Sequence, residues 1–287
     1  MSAFFVPLLL SNSAFANQEC HFEPTTANQK VLVKWVYDGD TLLVTDRKGG
    51  NKRKIRLIGI DTPEVAHHQQ KAQPYGAIAR EQLRALLKKH DNQIVLEFDE
   101  EKHDRYKREL AYTYLPDGKS ISEWLLQQGY AKTLVFPPNV KYAECFKKAE
   151  RSAQANELNL WSLKTNQTTS VADLKSKTKG YIRLKGKVTR VKQGKKTLTI
   201  EMKSKFKKPI KISIKKKYKK YFKGLNFEKL MSQEIVVTGI LKSKKGKRTI
   251  KLKHSSQLEV LSAQTAHDEQ TDQTDMIVPT LKWSLEK

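Results

Sequence analysis

At 287 residues the chain has room for about two domains of ~150 residues, and 38% apolar with 30% charged residues is the composition of a folded protein with polar margins. No stretch approaches the ~18 uncharged apolar residues that a membrane-spanning helix requires, and two cysteines are too few for a cysteine-caged metal fold. The formal charge of +25 is concentrated: residues 171–260 hold 29 Lys and Arg against 5 Asp and Glu, which leaves one unit of surplus for the rest of the chain. A field that dense draws a polyanion, most commonly nucleic acid, with an anionic membrane surface or a cell-wall polymer as rivals.

Residues 1–16 read as an export signal. Phe4, Phe5, Val6, Leu8, Leu9 and Leu10 form a short apolar run and Ala14-Phe15-Ala16 supplies the small-x-small cleavage pattern, although a positively charged n-region is missing. The expected location is secreted or periplasmic, with a mature start near Asn17. In an oxidising compartment Cys20 and Cys145 either pair or persist as two free thiols.

Residues 17–163 are expected to form a first domain. Segments 31–37 and 41–45 are β-rich runs joined by the turn dipeptide Asp38-Gly39, and 52–60 continues as a third strand. Ile78, Leu83, Leu86 and Leu87 fall at helical spacing within 75–89, after which 94–98 and 110–115 return to strand. Two more helices follow, at 120–128, where Ser120 and Glu123 have capping-box spacing, and at 142–150. Five strands with one helix inserted and others appended predict a small closed barrel of the OB type.

A linker rich in Thr, Ser, Asn and Gln spans 164–177. Residues 178–261 then repeat the order, with strands at 181–191, 195–202 and 209–214, a helical stretch at 218–230, and strands at 234–241 and 249–260. The expected fold class is mainly β with helices (α+β): an OB-fold barrel, then a second, strongly basic OB-like barrel. Residues 262–287 form a polar tail expected to be disordered.

Four short runs bring acids and arginines together: Asp38-Gly39-Asp40-Thr41, Arg56, Asp61-Thr62-Pro63-Glu64, and Asp104-Arg105-Tyr106-Lys107-Arg108. Each has an ordinary reading. Asp38-Gly39 makes a hairpin turn, Asp61 or Thr62 caps a helix starting at Pro63 with Glu64 in its first turn, Arg56 is an exposed strand residue, and Arg108 belongs to a solvated charge run. Antiparallel pairing, however, can bring Asp40 at the start of the second strand and Arg56 and Asp61 near the end of the third to one rim. Two carboxylates with a backbone carbonyl are an all-oxygen set suited to a hard cation such as Ca2+. Zn2+ is disfavoured, because Cys20-His21 and His67-His68 lack ligand spacing. Beside such an ion two arginines can clamp a phosphodiester as negative charge builds on it, and Glu64 can position or deprotonate the attacking water.

These runs, together with Ile55 through Glu64 as a block, Tyr75-Gly76, Leu110-Ala111-Tyr112 and Leu158-Asn159-Leu160-Trp161-Ser162, resemble the thermonuclease (staphylococcal nuclease) family over about residues 30–162. The resemblance implies an OB-barrel hydrolase, a Ca2+-dependent phosphodiesterase acting on DNA and RNA with little sequence preference. It implies cleavage of the bond to the 5′ oxygen, leaving 3′-phosphates. It also implies that Asp40 and Asp61 are calcium carboxylates, that Thr62 ligates through its main-chain carbonyl, that Arg56 and Arg108 bind the scissile phosphate, and that Glu64 acts on the water. Arg105, Tyr106 and Lys107, beside Arg108, are the expected substrate contacts. Two departures stand out: Lys107 occupies a place where the family usually has Gly, and Val135-Phe136-Pro137 replaces a region that often carries substrate-stacking tyrosines.

The basic segment shows no catalytic constellation. Lys203, Lys205, Lys207, Lys208, Lys216, Lys217, Lys219 and Lys220 are interleaved with Phe206, Tyr218, Tyr221 and Phe222, a pattern suited to phosphate contacts plus base stacking. Alternatively some of these aromatics, Phe222 above all, are core and the lysines a solvated face. The expectation is a domain that tethers nucleic acid for the catalytic barrel. A catalytically silent nucleic-acid-binding protein and a cationic cell-surface adhesin are the competing classes, and the presence of Arg56, Glu64 and Arg108 together favours the enzyme.

Overall fold

The computed structural model describes residues 29–46, 49–66 and 71–261. The export-signal and tail expectations, Cys20-His21 and His67-His68 lie outside the described residues.

The first barrel is built from alternation. In β1 (Gln29–Val36), β2 (Thr41–Thr45) and β3 (Arg53–Leu57), a period of two turns Val31, Val33, Leu42, Val44, Ile55 and Leu57 inward, where all are buried. A bulge between Val33 and Trp35 resets the phase of β1, so that Val36 still points inward. Next come β4 (Gly59–Asp61) and α1 (Gly76–Lys88), a helix that buries Ala79, Leu83 and Leu87 along one stripe. Closure follows through β5 (Gln93–Glu97), antiparallel to β1, and β6 (Glu109–Tyr114), which runs parallel to β3.

The expected strand 52–60 is in fact two. Gly59 has φ of +86°, which L side chains rarely adopt, and a Cβ there would lie 2.4 Å from the Phe146 ring. The chain therefore turns at Ile58, and β4 leaves the barrel to pair with β7 (Lys132–Leu134). Between them in sequence, α2 (Ile121–Gln127) starts at Ser120, whose hydroxyl accepts from the Glu123 amide as the capping pattern predicts. The final helix, α3 (Ala143–Ala155), outruns the expected 142–150 because Ala149 and Ala153 extend its buried stripe beyond Phe146. No cysteine among the described residues is free.

The second barrel repeats the topology. Around it, β9 (Gly180–Gln193), β10 (Thr197–Met202) and β11 (Ile210–Lys215) are joined by β12 (Glu234–Lys244) and β13 (Lys247–Leu252), with β11 parallel to β13 and β12 closing onto β9. Strict alternation at Leu198, Ile200 and Met202, and again at Ile210, Ile212 and Ile214, fills its core. Both units are thus closed five-stranded barrels of the OB type. Three local expectations change. Residues 164–177 carry β8 (Thr168–Ser170), parallel to β9, and Leu174 is buried in the second core. The stretch 218–230 is two short 3-10 turns, Lys216–Tyr221 and Glu228–Leu230, separated by Gly224 at φ +79°. The run 249–260 is broken at His254 by a third 3-10 turn, Ser255–Gln257, before β14 (Leu258–Leu261). Phe222 is a core residue.

The barrels touch through α3 and the His254 turn, where Ser255 donates to Glu144 Oε1 (2.8 Å) and Arg151 pairs with Glu259 (3.6 Å). Lys132 completes the junction from β7, donating to Asn166 Oδ1 (2.7 Å) with its ammonium 4.0 Å from the centre of the Tyr181 ring.

Candidate active site

The turn between β1 and β2 starts the site. Asp38 Oδ1 accepts from the Asp40 amide (2.9 Å), so the turn reading of Asp38 is correct as far as it goes. Gly39 is needed for close approach, since a Cβ there would sit 2.7 Å from Thr62 Cγ2. Asp40, only 5% exposed, accepts from the Thr62 amide (2.9 Å) and from the Thr41 hydroxyl (3.0 Å), and it pairs with Arg56 Nη2 (3.1 Å). The same Nη2 reaches Asp61 Oδ1 (3.2 Å), while Nη1 donates to the carbonyls of Leu57 and Ile60 (2.8 and 2.9 Å). Arg108 Nη1 donates to Thr41 Oγ1 (3.3 Å). Asp61, Arg56, Asp40, Thr41 and Arg108 therefore form one unbroken chain of contacts along the barrel rim. The helix-cap alternative for Asp61 and Thr62 is corrected, because residues 62–66 carry no helix.

Crowding of acids shapes the electrostatics. Burial and the neighbouring Asp40 charge hold Asp38 well above the usual carboxylate range. Asp61 is pushed the same way by burial on its inner side and then by Asp40, partly offset by Arg56, although its side chain is 53% exposed and opens the site to solvent. Thr62 Oγ1 is buried with no hydrogen-bond partner among the described residues. Among the described residues no three His, Cys, Asp or Glu side chains group as a metal cage. A hard divalent cation would draw instead on Asp40, Asp61 and the Thr62 carbonyl, with water in its other positions, and its charge would relieve the carboxylate repulsion. The residues present fit such an ion.

Arg56 and Arg108 wall a cleft of about 490 Å³ with Asp104, Tyr106, Phe136 and Lys253. Glu64 is not in that wall. Its backbone is fixed by Gln73, whose amide donates to the Glu64 carbonyl (2.9 Å), and its charge is felt at Asp61. Arg105 and Tyr106 stack on one another, guanidinium 4.6 Å from the ring centre, and Lys107 is exposed at φ +62°.

The basic side chains singled out in the second barrel stand apart from this cleft. Lys203, Lys205, Lys207 and Lys208 are exposed between β10 and β11, and Lys216, Lys217, Lys219 and Lys220 on the 3-10 turn after β11. Arg248 covers Phe206 at 3.5 Å, and Lys217 and Lys220 lie over Tyr218 and Tyr221 (5.0 and 4.9 Å). Sequence reasoning named Asp38, Asp104 and Phe136 but not the contacts they make here, and it missed Lys253. Asp38 and Asp104 carried a signal, an acid within two to four residues of an assigned one. Lys253 carried none beyond its charge.

The amino-acid sequence has known relatives. The sequence model described as staphylococcal nuclease homologue matches residues 54–163. The chain is 38% identical over 135 residues to the thermonuclease of Staphylococcus intermedius, which covers 46% of this chain and 76% of that protein. It is 42% identical over 127 residues to the SPbeta prophage-derived endonuclease YokF of Bacillus subtilis (44% of this chain, 41% of that protein) and 38% identical over 145 residues to endonuclease YncB of the same organism (48% and 66%).

Proposed function

The chain belongs to the staphylococcal nuclease homologue family and is a nuclease hydrolase, and from that premise we propose a secreted or periplasmic, Ca2+-dependent enzyme that hydrolyses DNA and RNA with little sequence preference to 3′-phosphate products. The observation that carries this reading is the continuous rim from Asp61 through Arg56, Asp40 and Thr41 to Arg108.

In the proposed mechanism Asp40, Asp61 and the Thr62 carbonyl would hold the ion, which would supply positive charge beside the scissile phosphate. Arg56 and Arg108 bind the non-bridging oxygens, and their fixed guanidinium groups stabilise the charge that develops as the phosphorus becomes five-coordinate. Glu64 orients the attacking water and accepts its proton, the bond from phosphorus to the 5′ oxygen breaks, and the departing oxygen takes a proton from solvent. Arg105, Tyr106 and Lys107 contact the strand beside the scissile bond. Residues 178–261 act as the tether, their lysines concentrating polynucleotide near the cleft.

Incubating the purified protein with plasmid in Ca2+ or in chelator tests the core of this reading. Cleavage confined to Ca2+ is expected. Binding without cleavage in either condition would establish the silent binding protein instead. Glu64→Gln should lower turnover by about 10²–10⁴-fold, the span of general-base contributions, with Ca2+ affinity retained.

A further inference from the structure

We infer that the second barrel completes the substrate site: Lys253 binds a backbone phosphate next to the scissile one, and the strand continues past Phe136 between the barrels as a single strand. This rests on the nuclease reading and extends it to a residue far outside the stretch matched by the family.

Three observations carry it. First, Lys253 walls the same cleft as Arg56 and Arg108, with its ammonium 4.4 Å from the centre of the Phe136 ring. Second, its backbone is fixed. The Lys253 amide donates to Gln257 Oε1 (2.8 Å), and the adjoining turn is docked on α3 through Ser255 and Glu144, so the ammonium is held over the first barrel from the second. Third, the cleft does not end there. Leu134, Phe136 and Lys253 are also walls of a second cleft of about 340 Å³ lined on its far side by Ile240, Lys242 and Lys251.

The charges that face this groove are unequal. Glu150 lies in the second cleft but is 1% exposed and spent on Lys147 (2.6 Å) and the Thr133 amide (2.8 Å), and Asp104 is committed to Arg108. Glu101 is the acid left on the first cleft's wall, against Lys242, Lys251 and Lys253. Phe136 is 51% exposed and Ile240 52%, so the walls of the two clefts carry both apolar faces and ammonium groups. That combination suits phosphates and unstacked bases, and a base can reach an apolar face only when it is free of its complement.

The test measures binding of a single-stranded oligonucleotide by fluorescence anisotropy in chelator, and its cleavage in Ca2+, each across a salt series. Lys253→Ala should weaken binding several-fold at low salt and reduce the slope of log affinity against log salt by about 0.7, the loss of one single-strand phosphate contact. Cleavage should show the same rise in KM with kcat held within about twofold, and Lys253→Arg should restore most of it. Lys242→Ala with Lys251→Ala should weaken only strands long enough to enter the second cleft. Wild-type affinity and slope in Lys253→Ala would overturn the inference, as would a fall in kcat alone, which would mark Lys253 as a support for Phe136. If the wild-type protein binds but never cleaves, the nuclease reading fails while the anisotropy still decides the role of Lys253.

Discussion

Asp104 grips Arg108 through a single oxygen, Oδ2, which lies 2.8 Å from Nε and 2.7 Å from Nη2, while Oδ1 accepts from the amides of Tyr106 and Arg108. One carboxylate therefore shapes the loop and aims the guanidinium it carries. Burial raises the Asp104 pKa, but the hydrogen bonds from Arg108 and Tyr106 outweigh it and bring the group below its ordinary value. Asp104 is a positioning residue. Displacing a phosphate-binding group by about 1 Å can cost about 10²-fold in rate. Asp104→Ala should accordingly lower kcat by about that factor with little change in KM, and Asp104→Asn, which keeps the turn acceptor, should lose less. Steady-state cleavage of one oligonucleotide by the three proteins measures it, and equal kcat values would remove the assignment.

Lys107, in the same loop, adopts φ of +62° and donates its amide to the Asp104 carbonyl (3.0 Å). A left-handed conformation costs a residue with Cβ about 1–2 kcal/mol, and glycine's extra freedom in the unfolded chain returns about 0.5–1 kcal/mol of that. Lys107→Gly should thus raise stability by about 0.5–1 kcal/mol in urea unfolding. If its ammonium also contacts phosphate, KM rises in the same variant, so stability and binding move in opposite senses. A destabilised variant would show that the lysine side chain makes a compensating contact.

How much of this could be read from the sequence depends on the range of each interaction. Period-two runs such as Leu198, Ile200 and Met202 declare their inward face locally, and both barrels follow from them. The acids and arginines of the rim were visible because they cluster in four short runs. Asp38 was read only as a turn residue, since its second role depends on burial beside Asp40. The break at Gly59 was invisible because its cause is Phe146 on α3. The pairing of Phe136 with Lys253 was out of reach for the same reason, one residue from each barrel meeting through docking contacts that no local pattern encodes.

Gly59 makes that nonlocal dependence measurable. Alanine there meets two separate penalties, about 1–2 kcal/mol for the left-handed φ and about 1–3 kcal/mol for overpacking against the Phe146 ring 2.4 Å away. Gly59→Ala should lose about 2–5 kcal/mol, a large part of the ~5–15 kcal/mol by which domains are stable. Adding Phe146→Leu should recover part of the overpacking in a double-mutant cycle and none of the backbone strain. Strictly additive losses would show that the two positions do not conflict.

His254 ties the junction to pH. Its Nδ1 accepts from the Ser256 amide (3.1 Å), an arrangement that requires this nitrogen to be unprotonated, and Glu144 Oε1 stands 3.9 Å away. Burial lowers the His254 pKa, with Glu144 offsetting part of the shift. The unfolded chain, titrating near 6.5, therefore binds more protons than the native one as pH falls. The stability held by the neutral ring is fully present above pH 6.5 and is lost as pH drops from there toward the folded pKa. Asp38 and Asp61, whose pKa values are raised, act with the opposite sign over the acidic range, gaining stability as pH falls, and they do so equally in any His254 variant. Asparagine caps a helical turn without titrating. Thermal unfolding of the wild-type protein and His254→Asn between pH 7.5 and 5.5 should show the wild-type midpoint dropping relative to that of the variant as pH falls. Parallel curves would mean that the ring is already protonated at neutral pH and the cap is made some other way.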